Sequence, residues 1–160
     1  MRRNFFLIIV FAATVAITPA VAAQDSGGVT GRWLTESGKG VIAISPCGDS
    51  ICGRIDWMKT PPGGDPNYIP RDKNNPDPAR RQLPMCGLQI IYGFHHDGAD
   101  PKRWVEGKLY DPESGDTYHG NITVVDSNHL RLRGYIGIPL LGESQLWTRV
   151  NAQHPVCRAG

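Results

Sequence analysis

After its first two dozen residues the 160-residue chain has no apolar run approaching the ~20 residues that a membrane-spanning helix needs. It has no Cys-x-x-Cys pair, the usual spacing of a structural zinc site. It lacks both a glycine-rich phosphate loop and a dinucleotide fingerprint. The stretch Gly142-Glu143-Ser144-Gln145-Leu146 is not a nucleophile elbow, because the second glycine and a following helix are missing. No segment keeps a helical period except the short Pro78 to Gln82. These absences predict no metal and no cofactor, and they turn attention to strands.

A basic excess is missing too. Residues 1–23 combine Arg2 and Arg3, an apolar run from Phe5 to Ile17 and small residues ending at Ala22-Ala23, the pattern of a secretory signal peptide. Cleavage is predicted after Ala23, with Ala22 as the alternative, by the general export route rather than the twin-arginine one. Removing Arg2 and Arg3 from the 17 Lys+Arg leaves 15 cations against 15 acids. A neutral mature chain offers no surplus charge for phosphate neutralisation, so nucleic acid is excluded as a partner. Residues 24–160 make one domain, and periplasmic or secreted localisation follows.

The chain does contain four cysteines, all after the leader, which suits an oxidising compartment. Three connectivities are possible, and spacing favours one. Cys47 and Cys52 flank a turn-like insert between strand patterns, which leaves Cys86 to Cys157. The first bridge closes a hairpin neck. The second fastens the tail, 151–160, and in the chain-entropy model its long loop contributes roughly 4 kcal/mol.

Short segments of alternating apolar and polar residues, separated by Gly, Pro, Asn and Asp, predict strands near 31–36, 40–46, 51–58, 87–94, 103–110, 117–125, 129–136 and 143–150. Eight strands joined mostly by tight turns predict an all-β, antiparallel up-and-down barrel, in which closure removes exposed edges. Two connections depart from that economy. One, 59–85, is rich in proline, and a loop of such length in a compact domain is usually functional or disordered. The other, 137–142, carries the apolar tip Pro139-Leu140-Leu141, expected to cover one mouth.

Gly31-x-Trp33, Cys47 with Cys52-Gly53, Asp72-x-x-Asn75-Pro76-Asp77-Pro78, Tyr110-Asp111-Pro112, Arg133-Gly134-Tyr135 and Trp147 with Arg149 resemble the bacterial family catalogued as domain of unknown function 2147. That resemblance implies an exported protein of Gram-negative bacteria. Cys86 and Cys157 stand outside the family pattern, and the joint presence of both fits their pairing. More loosely, Gly31-x-Trp33 on the first strand and Arg149 on the last resemble the lipocalin-like calycin barrels. This second resemblance implies that the guanidinium packs on the indole at the closed end.

Candidate ligand-binding residues gather in the long loop, where Asp72, Asn75, Asp77 and Arg80 sit among prolines that restrict the backbone. Pre-ordering of this kind lowers the entropic cost of binding. The competing reading makes the same residues a structural latch. Alternation sets Trp104, Glu106, Lys108 and Tyr110 against Val105, Gly107 and Leu109, and places Leu130, Leu132, Gly134 and Ile136 on the inner face. With the polar faces inward instead, Glu106, Tyr110, Tyr118 and Arg133 would line a cavity. His95 and His96 are expected in a surface turn before Gly98. The reading that results is a non-catalytic barrel binding a small or lipid-like ligand, or an envelope partner, at the mouth under loop 59–85. The alternatives are an envelope-directed hydrolase using Asp72 or Asp77 with Arg80, and a purely structural envelope protein.

Overall fold

The computed structural model describes residues 28–60, 65 and 68–157. The predicted leader, residues 1–23, lies outside them. Eight strands follow one another: β1 (Gly31–Leu34), β2 (Gly40–Cys47), β3 (Ser50–Met58), β4 (Gln89–His96), β5 (Arg103–Asp111), β6 (Asp116–Asp126), β7 (His129–Tyr135) and β8 (Glu143–Arg149). Each pairs antiparallel with its neighbour in sequence, and β8 returns to β1 to close a barrel. The tight connections fall where the turn residues stand, at 35–39, 48–49, 112–115 and 127–128.

Register decides what fills the barrel, because paired residues share a face and neighbours in a strand alternate. Trp33 lies opposite Ile42, Ile42 opposite Ile55, and Ile91 between Gly53 and Leu109. On β6 and β7, Ile122 meets Leu132, and Leu130 meets Trp147 of β8. These side chains form one continuous buried core with Phe94 fully enclosed. Glycines in the wall make room for it. A methyl group on Gly107 would overlap the Phe94 ring, and one on Gly120 would stand 2.7 Å from Leu109 Cδ1 and 2.9 Å from Phe94 Cζ.

Arg149 closes one end. Its Cζ lies 4.0 Å from the centroid of the buried Trp33 ring, within cation–π range. The same guanidinium donates to the carbonyls of Gly28, Thr30 and Ser127, tying the segment before β1 to the β6–β7 turn. Trp33 Nε1 donates to Val29 O at 2.9 Å, so the indole has no unmet donor. Strand order places the β1–β2, β3–β4, β5–β6 and β7–β8 connections at the opposite end.

Both disulfides form, Cys47–Cys52 across the β2–β3 neck and Cys86–Cys157 between the start of β4 and the tail. Arg32, on the outer face of β1, straps that tail down. Its Nε bonds Asp56 Oδ2 at 2.6 Å, and its terminal nitrogens donate to the carbonyls of Asn151, His154 and Pro155. His154 packs edge-on against Trp57, with ring centroids 4.9 Å apart.

Four expectations from alternation and turn chemistry are corrected. The β5–β6 register shifts between Trp104 and Gly107, and Glu106 adopts a positive φ of 62°. This bulge resets the alternation, so Trp104 joins the core opposite Ile122 instead of sharing a face with Tyr110. His95 and His96 end β4 rather than forming a turn, and His96 Nε2 lies 3.0 Å from Pro101 O. Ile136 falls just beyond β7 and is exposed, because the strand ends at Tyr135. Pro139–Leu141 forms one 3-10 turn with no buried residue, so that tip covers nothing.

The packing of Phe94 against Gly107 yields a test. Gly107→Ala should destabilise by about 1–3 kcal/mol through overpacking. Combining it with Phe94→Leu should recover part of that loss, a non-additivity that a urea double-mutant cycle measures. Strict additivity would show that the two positions do not meet.

Candidate functional site

The described part of the long loop, 68–85, is an ordered flap. Arg71 and Pro84 form an antiparallel bridge, Asp72 N donates to Leu83 O at 3.0 Å, and Met85 N donates to Pro70 O at 2.9 Å. Between these rungs the chain makes a single 3-10 turn, Pro78–Arg80, with Asp77 as its N-cap. Asp77 Oδ1 accepts from Ala79 N at 3.0 Å, as an N-cap carboxylate should. Pro78 costs nothing here, because a first-turn amide would have no helical partner.

Asp72 anchors the flap. Its side chain is fully buried, and an isolated carboxylate there would be strongly unfavourable. Two donors compensate: Tyr110 Oη donates to Oδ1 at 2.6 Å, and Asn75 Nδ2 donates to Oδ2 at 2.6 Å. Asn75 is itself spent as a hub, since its Oδ1 accepts from Asp77 N and its carbonyl accepts from Arg81 Nε. Asn74 pins the flap to the β5–β6 turn by donating to Glu113 O at 2.7 Å. A side chain on Gly115 would collide with the Asn74 carbonyl.

Tyr110 reaches the flap because it leaves β5 on the face opposite to Leu109. Leu109 pairs with Ile91 and Tyr118 on the inner face, so Lys108 and Tyr110 face outward with their partners Tyr92 and Thr117. Burial under the flap, then the hydrogen bond to Asp72 and its negative charge, push the Tyr110 phenol above its ordinary range. The protonated phenol is therefore the native form.

Flap and outer wall border an open cleft of about 380 Å³, lined by Asn75, Pro76 and Arg80 on one side and by Leu88, Tyr92, Lys108, Tyr110 and Thr117 on the other. That volume is within the range of small-molecule pockets, ~300–1,000 Å³. Arg80 and Lys108 are exposed and form no ion pair with any described residue. Their charges are held near an apolar and aromatic floor, available to an anion.

Of the residues singled out from the sequence, Asp72, Asn75, Asp77, Arg80 and Tyr110 come together around the flap, the first three through hydrogen bonds. Tyr118 lies half-buried on the inner face opposite Leu109. Arg133 is on the outer face of β7, bonded to the carbonyls of Pro139 and Leu140 and to Ser144 Oγ, and does not join the cleft. Trp33, Trp147 and Arg149 serve the closed end, where Trp147 Nε1 donates to Gln145 Oε1 at 2.8 Å. Leu88, Tyr92 and Lys108 are cleft residues that alternation alone did not single out. The signal for Tyr92 and Lys108 is their register partnership, visible only once β4 is aligned with β5. Among the described residues no three His, Cys, Asp or Glu side chains converge as a metal site.

Tyr110→Phe should destabilise by about 1–3 kcal/mol near pH 7, because one oxygen of a buried carboxylate loses its donor. The folded-state phenol is raised, so its contribution is complete below the unfolded value of about 10 and fades as pH rises through the folded one. Urea unfolding at both pH values should therefore show the gap between wild type and variant narrowing in alkali.

Over residues 31–149 the chain matches the family described as "Uncharacterized protein conserved in bacteria (DUF2147)". No curated protein matches it. Among solved structures it is similar to protein HP1028 of Helicobacter pylori, described as belonging to the lipocalin family. That similarity has 18% identity and a TM-score of 0.68, covering 82% of this chain and 92% of the other. At that identity the likeness establishes a shared lipocalin-like barrel. With the family pattern spanning every strand from β1 to β8, this chain belongs to the bacterial family DUF2147.

Proposed function

We propose that this chain is an exported, periplasmic binding protein, acting without catalysis, whose ligand is a small amphiphilic anion held under the flap on the outer wall of the barrel. The observation that carries this reading is that Arg80 and Lys108, which form no ion pair with any described residue, face one cleft. A carboxylate or phosphate head bridging them would gain charge-assisted hydrogen bonds, bidentate ones from the guanidinium. An apolar tail would cover Leu88, Pro76 and the ring of Tyr92. The ordered flap supports binding at low entropic cost, since the Asp72 network and the proline-restricted backbone hold Arg80 on one side. Export is supported by the leader pattern of residues 1–23 and by two disulfides.

A hydrolytic role for the flap acids finds less support. Both oxygens of Asp72 already accept hydrogen bonds in a site shut off from solvent, and Asp77 is turned to its own helix. A general base must reach the proton it abstracts. Asp72 would first have to release Tyr110 and Asn75.

Calorimetric titration with octanoate and with octyl phosphate tests the proposal and separates the two head groups. At least one should bind saturably. The double variant Arg80→Gln/Lys108→Gln should weaken that binding by roughly 10²- to 10⁴-fold, taking ~1.5–3 kcal/mol for each charged hydrogen-bond donor, while melting with the wild type. Undiminished binding by the double variant, or no binding of either anion to the wild type, would refute the proposal.

A further inference from the structure

The connection between β7 and β8 presents apolar side chains to solvent at the end of the barrel opposite Trp33. Ile136 is 70% exposed, Ile138 55%, Leu140 80% and Leu141 77%. Single exposed leucines are ordinary on protein surfaces, but four large apolar side chains within six residues of one turn are a patch. Nothing in the fold uses them. The patch is independent of the cleft, whose lining includes none of these residues.

The carbonyls at the turn of this tip are met from within the protein. Arg133 reaches under it from β7, with Nε donating to Pro139 O at 2.8 Å and Nη2 to Leu140 O at 3.2 Å. Leu141 N donates to Ile138 O at 3.2 Å, and Gly142 N to Pro139 O at 3.1 Å. Pro139 has no amide to satisfy. Three successive carbonyls, 138 to 140, are therefore met from within the protein, which water would otherwise do at no cost. Such self-sufficiency matters where water is absent, because an unmet backbone group in hydrocarbon costs several kcal/mol.

Charge follows the same geometry. Leu130 and Leu132 face the core, so Arg131 and Arg133 project from the outer face of β7, Arg133 directly under the tip and Arg131 one outward position further back along the strand. Neither has an acidic partner among the described residues. Glu143, at the start of β8, pairs with Gly134 and so faces the other side of the sheet. Glu36 is engaged by Leu146 N at 3.1 Å. Apolar side chains in front and unopposed cations behind match the layers of an anionic bilayer surface, hydrocarbon first and phosphate next.

We infer that the β7–β8 tip docks the protein on an anionic phospholipid bilayer, Ile138, Leu140 and Leu141 entering the interface while Arg131 meets the head-group phosphates and Arg133 braces the tip. A second copy of the chain is the competing occupant. Cations behind the tip would repel one another in a tip-to-tip dimer, whereas they favour an anionic lipid surface.

Vesicle flotation tests the inference. The protein should float with vesicles of phosphatidylglycerol and phosphatidylethanolamine, and far less with phosphatidylcholine alone. Leu140→Asp/Leu141→Asp should abolish flotation without lowering the melting temperature, since both side chains are exposed. Arg131→Gln should weaken it about fivefold, the effect of one juxtamembrane cation. A Leu140→Trp variant should shift its emission to the blue on adding anionic vesicles. No flotation of the wild type, or undiminished flotation of the double aspartate variant, would overturn the inference. So would a dimer in sedimentation velocity that the aspartates dissolve, with no lipid binding.

Discussion

The Phe94 ring occupies space that side chains at 107 and 120 would need, and much of the molecule follows from that contact. An eight-stranded barrel is only wide enough to be filled by its own side chains or to hold one small ligand. Here Phe94, Ile91, Leu109 and the residues around them take the middle, and Trp33 with Arg149 takes the floor. The buried cluster around Phe94 is a source of stability, because large apolar groups at crystal-like density contribute both hydrophobic burial and dispersion.

The flap is held by one buried acid. Asp72 would be a liability alone, yet with Tyr110 and Asn75 it becomes a latch whose removal is costly from either side. The latch fixes 68–85 against the outer faces of β4, β5 and β6, and the cleft is the space left between them. Of the two readings of these residues, the structure shows the contacts of the latch, and the proposed ligand site needs only the residue that the latch leaves over. Asp72, Asn75 and Asp77 are consumed in holding the flap. Arg80 is what the flap presents.

The barrel was legible from sequence because its information is local. Period-2 alternation and turn residues at 37–40, 111–115 and 126–128 mark strands and reversals without reference to anything distant. Pairing of Cys47 with Cys52 was similarly local, and the remaining pair followed. What escaped notice depends on long-range register. The bulge at Glu106 inserts an extra residue that no propensity announces, and it carries Trp104 from the predicted outer face into the core. Ile136 continues the inner-face pattern of β7 on paper, but the strand ends one residue earlier. The cleft was half visible: its flap side stood out as a cluster of Asp, Asn and Arg among prolines. Its wall side, Leu88, Tyr92 and Lys108, lies on two different strands and acquires meaning only when they are aligned.

A packed interior and an external anion site make one claim together, and a structure of the protein with bound octanoate addresses it most directly. The account predicts the carboxylate between Arg80 and Lys108, the chain along Leu88 and Tyr92, and Phe94 unmoved against Gly107. Octanoate inside the barrel, with Phe94 displaced toward either mouth, would contradict it.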